Sequence, residues 1–210
     1  MISLSEILHT IAQALMIPCL IILLILMAGA VWQIGDIVVE YIAERRKHKC
    51  NVPQLLRDVH TAGADGLAEL IENSGLLRRQ KKALLELAES RGLPKDTLTA
   101  LAERLLATEE ARNARTTSGT DMIAKLGPMF GLLGTLIPLG PGIVALGQGD
   151  TVTLSESMNV AFDTTIAGVI SAAVASVISH IRKRWYNDDM VSLETLMEAV
   201  LEEVTSDVEG

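Results

Sequence analysis

Asp163 is the one formal charge between Glu156 and Ile181, and two hydroxyls, Thr164 and Thr165, follow it directly. A third hydroxyl, Thr135, stands in the apolar stretch before it. A carboxylate can hold a proton, and a hydroxyl can both donate and accept. Together such groups can pass a proton or replace part of an ion's water shell. In an apolar helix the carboxylate is costly, on the order of 2.5–3.5 kcal/mol at the middle of a bilayer, so it should face an interior. Counted from a helix start at Thr153, Asp163 lies ten residues on, roughly 15 Å deep at about 1.5 Å per residue. Asp163 and Thr165 are two residues, about 200°, apart on a helix and cannot share one narrow face. If Thr165 lines a pore, Asp163 points between helices, towards Thr135 or towards carbonyls freed by proline. The plainer alternative is a hydrogen bond between subunits and nothing more.

These residues need two helices to position them. Residues 126–149 carry no Asp, Glu, Lys or Arg before Asp150, enough to cross a bilayer core of about 20 residues. Gly127, Gly131, Gly134, Thr135 and Gly142 recur at near-helical spacing, and Gly127 and Gly131 form a GxxxG pair for close helix packing. The second helix opens on Thr153-Leu154-Ser155-Glu156, which has capping-box spacing. Its small residues are Ala161, Thr165, Gly168, Ala172 and Ser176. Helix packing alone is the plainer reading of both stripes. Pro138 and Pro141 have no N–H for the carbonyls of Gly134 and Ile137. Inside a membrane such carbonyls need partners or a wet cavity, so a kink or unwound turn is expected near Gly140.

Gly131-Leu132-Leu133-Gly134-Thr135 resembles the GLLGT signature of the MotA/TolQ/ExbB proton-channel family. The run Ala161-Phe162-Asp163-Thr164-Thr165-Ile166-Ala167-Gly168 is similar to the Thr-then-Gly segment of that family's third membrane helix. The order of the chain is similar too: one early span, a long polar insert, then a hairpin of two. The resemblance implies a homopentameric ring whose second and third helices line a pore. A single-pass partner resembling ExbD, TolR or MotB, with a membrane-embedded Asp, would thread that pore. It also implies that Thr135 and Thr165 are pore-facing hydroxyls. Two departures stand out: Val160 sits where several relatives carry Glu, and Pro138-Leu139-Gly140-Pro141-Gly142 replaces the outer part of the second helix.

Along the chain the reading is all-α, an integral membrane protein of three transmembrane helices with a cytoplasmic helical insert, forming a ring. With 49% hydrophobic and 3% aromatic residues, the 210-residue chain is too apolar for an ordinary soluble domain. Residues 1–13 lack the basic stretch of a secretory signal and form an outer-side segment, with residues 4–13 either a short interfacial helix or a frayed terminus. The first membrane helix is 14–35, rich in Ile and Leu and read as lipid-facing, with Pro18 near its start. Cys19 lies within it and Cys50 beyond it, so the two should not pair. The insert is 36–122 and the second membrane helix 123–147. An outer loop covers 148–156, the third membrane helix 157–181, and a cytoplasmic tail helix 182–210.

In the insert, Leu55, Leu56 and Val59 make a helical face that residues 61–66 break, and residues 73–75 and 92–94 break later ones. From Asp96 no strong breaker precedes Gly119, so one long helix should run into the second span. Arg45, Arg46, Lys47 and Lys49 follow the first span, Lys125 opens the second, and Arg182, Lys183 and Arg184 follow the third. In this topology all 18 Lys and Arg fall on one side, which the positive-inside rule makes cytoplasmic. The N-terminus is then outside. Trp185 and Tyr186 suit the headgroup zone, and His9 and His180 read as solvated border residues.

The chain is net acidic, −8, and its basic runs sit at membrane borders, so no nucleic-acid partner is expected. No Cys/His cluster, phosphate-cradling loop or Ser/His/Asp set occurs, so neither enzyme chemistry, a cofactor nor a metal is expected. The function that these features favour is a ring-forming stator subunit of an ion-driven motor, moving protons or sodium ions in the cell membrane. The alternatives are a non-conducting membrane scaffold and a permease subunit of a transporter.

Overall fold

The computed structural model describes residues 4–45 and 51–209. Cys50 and the basic residues Arg46, Lys47 and Lys49 lie outside them, and so do the side chains of His9 and Arg45. The described residues are helical almost throughout: α1 Leu4–Ala14, α2 Met16–Glu40, a π-helical turn Tyr41–Arg45, α3 Val52–Asn73, α4 Arg78–Glu89, α5 Lys95–Gly147 and α6 Thr151–Glu209. Among the described residues three stretches are long and apolar enough to cross a membrane: Glu6–Ala43, Lys95–Gly147 and Thr151–Ser206.

The chain divides into two compact units, Met1–Ile37 with Thr117–Ile181, and Val38–Thr116 with Arg182–Gly210. In the first, α2 presents only a narrow seam. Cys19, Leu23, Leu26 and Ala30, spaced four, three and four apart, are buried, while Ile17, Ile21, Leu24, Ile25 and Val31 are exposed. The seam packs Leu26 and Ala30 against Ile123 of α5 and Ala175 of α6. The Cys19 thiol donates to the Phe130 carbonyl at 3.4 Å. A helix whose remaining circumference is bare aliphatic suits lipid tails, as its Ile and Leu content leads one to expect.

The second unit is a helical core with the ordinary amphipathic logic. Leu67 and Ile71 of α3, Leu84 and Leu87 of α4, Leu98 of α5, and Leu193, Met197 and Val200 of α6 are almost wholly buried in one cluster. The tail is thus not a separate helix. It is the continuation of α6, and its 3.6-residue apolar stripe closes this core. The expected break within α3 falls at Gly63, whose φ of 64° and ψ of 174° interrupt the helical backbone. That region is open essentially to glycine alone. Gln80, buried in α4, accepts from the Leu77 N–H at 3.2 Å and donates to the Asp189 carbonyl at 3.0 Å, so the polar group in this core is satisfied at both ends.

A second polar lock joins the end of α2 to α6. Arg182 is 3% exposed, and its Nε donates to Glu40 Oε2 at 3.0 Å. The Tyr186 hydroxyl donates to the other carboxylate oxygen at 2.9 Å. Burial, reinforced by the Glu40 charge, pushes the Tyr186 phenol well above its usual range. Tyr41 and Trp185 stack beside it, with centroids 6.1 Å apart. Tyr186, expected as a headgroup aromatic, therefore spends its hydroxyl on Glu40.

Candidate functional site

The α5–α6 hairpin is built on contact between backbones. A Cβ added to Gly168 would lie 2.5 Å from the Gly127 carbonyl oxygen and 2.8 Å from Gly131 Cα. One on Gly127 would lie 2.7 Å from the Gly168 carbonyl oxygen and 3.0 Å from Ala172 Cβ. One on Gly134 would meet the Thr164 side chain at 2.7 Å. Gly127, Gly131 and Gly134 are thus one face of α5, closed against Thr164, Gly168 and Ala172 of α6. Helices approach this closely where side chains are absent, and small residues serve that purpose in membranes. Further along, Gly142 faces Ser157, so the antiparallel contact runs the length of the hairpin.

The contact face of α6 differs from the expected one. The buried residues are Ala161, Thr164, Gly168, Ser171, Ala172 and Ala175, whereas Thr165 is half-buried at the edge and Ser176 is exposed. The spacing from Ala161 is three and then four, so the face passes through Thr164. The three threonine hydroxyls expected on the ion path bond to their own helix. Thr135 donates to the Leu132 carbonyl at 2.7 Å, Thr164 lies 2.9 Å from the carbonyls of Val160 and Ala161, and Thr165 donates to Ala161 at 3.0 Å. Asp163 is exposed, beside the bare apolar side chains Phe162, Ile166 and Ile170. Among the described residues it has no hydrogen-bond or ion-pair partner, so within one chain it reaches neither Thr135 nor the proline-freed carbonyls.

Two expectations about the backbone change. α5 stays helical from Lys95 to Gly147 through Pro128, Pro138 and Pro141, so the unwound turn near Gly140 does not form. Pro138 is buried and Pro141 half-buried. A proline removes one donor and crowds the carbonyl four residues back, which bends a helix without having to unwind it, so the expected kink at Pro138 and Pro141 is compatible with the continuous helix. The connection before α6 is also shorter than expected, because the helix starts at Thr151 rather than after a loop ending at 156. The reason is Asp150. Its Oδ1 accepts from the N–H groups of Val152 and Thr153, each at 3.1 Å, and Oδ2 accepts from the Thr153 hydroxyl at 2.6 Å. An aspartate N-cap three residues upstream outcompetes the Thr153 capping box. Those hydrogen bonds, the Thr153 side chain's first, hold the Asp150 carboxyl below its usual pKa. Asp163 is then twelve residues from the helix start, roughly 18 Å along the axis.

Sequence reasoning singled out none of Asp150, Glu40 or Asp121. Asp150 could have been found, since Asp ahead of Val152-Thr153 is a common cap. Glu40 with Arg182, and Asp121 with Ser179, join residues more than fifty apart and leave no local signal. Among the described residues no three His, Cys, Asp or Glu side chains gather into a metal-binding group.

The fold and this hairpin define a class: an all-helical integral membrane protein with a small-residue hairpin. Compared with known families, residues 69–195 match the MotA/TolQ/ExbB proton channel family. The match spans α4, α5 and most of α6, more than half of the chain, and the chain belongs to that family. It is a family of channels, not of enzymes. A comparison with curated proteins finds no match.

Proposed function

We propose that the chain is one subunit of a ring that couples cation flow across the cell membrane to movement of a single-pass partner. Family membership across both helices of the hairpin carries this reading. By the family pattern the ring is a pentamer, α5 and α6 line its pore, and a partner of the ExbD, TolR or MotB type threads it with a membrane-embedded Asp. The ion is a proton, with sodium as the alternative. The turn before Thr151 lies outside. The second unit, which holds most of the Lys and Arg residues, lies in the cytoplasm.

Asp163 supports the ring independently. A carboxylate that deep in a span, on a face that its own chain leaves open, would be costly in lipid. A neighbouring subunit or the partner would cover it. The non-conducting scaffold is the second reading, and one observation favours it: Thr135, Thr164 and Thr165 already donate to carbonyls of their own helices. Such bonds let a hydroxyl sit in an apolar helix with no other duty.

The test is to purify the ring with its single-pass partner, reconstitute it, and compare Asp163→Asn with Thr165→Ala. Loss of ion-driven activity with assembly intact supports the motor. Full activity in both variants defeats the proposed ion path, and a stable monomer in native mass spectrometry defeats the ring.

A further inference from the structure

In the first unit, α2, α5 and α6 meet in an apolar layer made by Leu26, Ala30, Ile123 and Ala175. A Cβ on Gly29 would lie 3.0 Å from Ile123 Cδ1, and Cys19 bonds to Phe130, so α2 runs antiparallel to α5 there. The glycine contacts set α6 antiparallel to α5 as well. One helical turn further, about 5.4 Å, therefore brings Gln33, three residues after Ala30, Thr120, three before Ile123, and Ser179, four after Ala175, to one level.

The chemistry of that level is different. Thr120 is 1% exposed and Ser179 4%. The Ser179 hydroxyl donates to Asp121 Oδ1 in a close hydrogen bond. Thr120 Oγ1 and Gln33 Oε1 are buried and have no hydrogen-bond partner among the described residues. Buried polar atoms are nearly always satisfied, so two orphans at one level ask for a shared partner. Gln33 Oε1 can only accept, the Thr120 hydroxyl can do either, and the Asp121 carboxylate accepts.

We propose that this level is an internal hydration site, where one water bridges Gln33 Oε1, Thr120 Oγ1 and the Asp121 carboxylate. Three such bonds are the usual complement of a buried water. The site is fourteen residues, roughly 21 Å along α5, from Thr135, and is separate from the hairpin threonines. It depends on the packing of the three helices and not on ion conduction, so it can fail while the motor reading stands, and the reverse.

Radiolytic hydroxyl-radical labelling of the full chain in lipid discs tests it, because radicals formed from a bound water oxidise the side chains beside it. Ile123 at 8% exposure and Leu26 at 6% are equally shielded from bulk water. The expected result is that Ile123, one turn from Thr120 on α5, labels faster than Leu26, two turns from Gln33 on α2. Thr120→Val should abolish that excess, and Thr120→Ser should retain it. Equal labelling of Ile123 and Leu26 in the wild type would overturn the proposal without any variant, as would an excess that survives Thr120→Val. Exchanging sodium chloride for choline chloride should leave the rate unchanged. A rate that rises on sodium removal would mean that a cation, not water, occupies the site.

Discussion

Gly168→Ala adds one methyl group at the tightest point of the hairpin. The new Cβ would stand 2.5 Å from the Gly127 carbonyl oxygen and 2.8 Å from Gly131 Cα, where ordinary contact begins near 3.4 Å. Both neighbours are backbone, so no rotamer change relieves the clash, and the helices must part by roughly 0.9 Å. Overpacking of this kind costs about 1–3 kcal/mol. Alanine also favours the helix over glycine by about 1 kcal/mol, which would mask much of the loss. Gly119 supplies the correction. It lies in the same helix system, in α5, with nothing within 4 Å of an added Cβ. The difference between Gly168→Ala and Gly119→Ala removes the propensity term and should leave about 1–3 kcal/mol of steric loss. Gly127→Ala should come next, at 2.7 Å from backbone, and Gly131→Ala should be mild, since its nearest contacts are at 3.4 Å. The assay is reversible unfolding in mixed micelles, followed by helical circular dichroism. Equal shifts for Gly168→Ala and Gly119→Ala would refute the contact-face argument.

Other perturbations follow from the second unit and the turn. Glu40→Gln leaves Arg182 buried without its carboxylate and should destabilise by about 3 kcal/mol in the same unfolding assay; Arg182→Met combined with Glu40→Gln should recover part of that loss. Gly63→Ala forces a side chain into φ 64°, ψ 174° and should cost about 1–3 kcal/mol, read as a lower unfolding midpoint. Asp150 has a folded pKa below its ordinary 3.8, so its capping contribution is complete above that value and is lost as pH falls through the lower folded pKa. Hydrogen exchange at Val152 and Thr153, corrected for intrinsic rates, should accelerate below about pH 4 in the wild type. In Asp150→Ala it should be fast at every pH.

Much of the architecture is local, and so it is legible in the sequence. Apolar runs without charge mark the three long helices, Gly75 marks the end of α3, and Gly92 with Pro94 marks the end of α4. The unbroken stretch from Asp96 anticipates the 53-residue α5. What was not legible depends on competition or on distance. Thr153 and Asp150 both suit a cap, and only the folded backbone decides between them. Pro138 and Pro141 break rules that a long helix, held on both sides of them, can absorb. The face of α6 turned on a choice between Thr164 and Thr165, one residue or about 100° apart. The Glu40–Arg182 and Asp121–Ser179 links are tertiary and leave no periodicity.

The glycine stripe invites an argument for the ring: more small residues than one hairpin needs, hence neighbours to use them. The geometry removes that argument. Gly127, Gly131, Gly134, Gly168 and Ala172 are all engaged in closing α5 on α6 within a single chain. What the hairpin leaves unmet is different in kind. Leu132, Leu136, Phe162, Ile166 and Ile170 are bare, which lipid satisfies as well as a subunit would. Asp163, on an exposed face among them, is the group that lipid does not satisfy. The case for assembly therefore passes from the many small residues to the one carboxylate. Cost decides this: a methyl group facing lipid instead of protein loses little, whereas a carboxylate in the same position loses several kcal/mol.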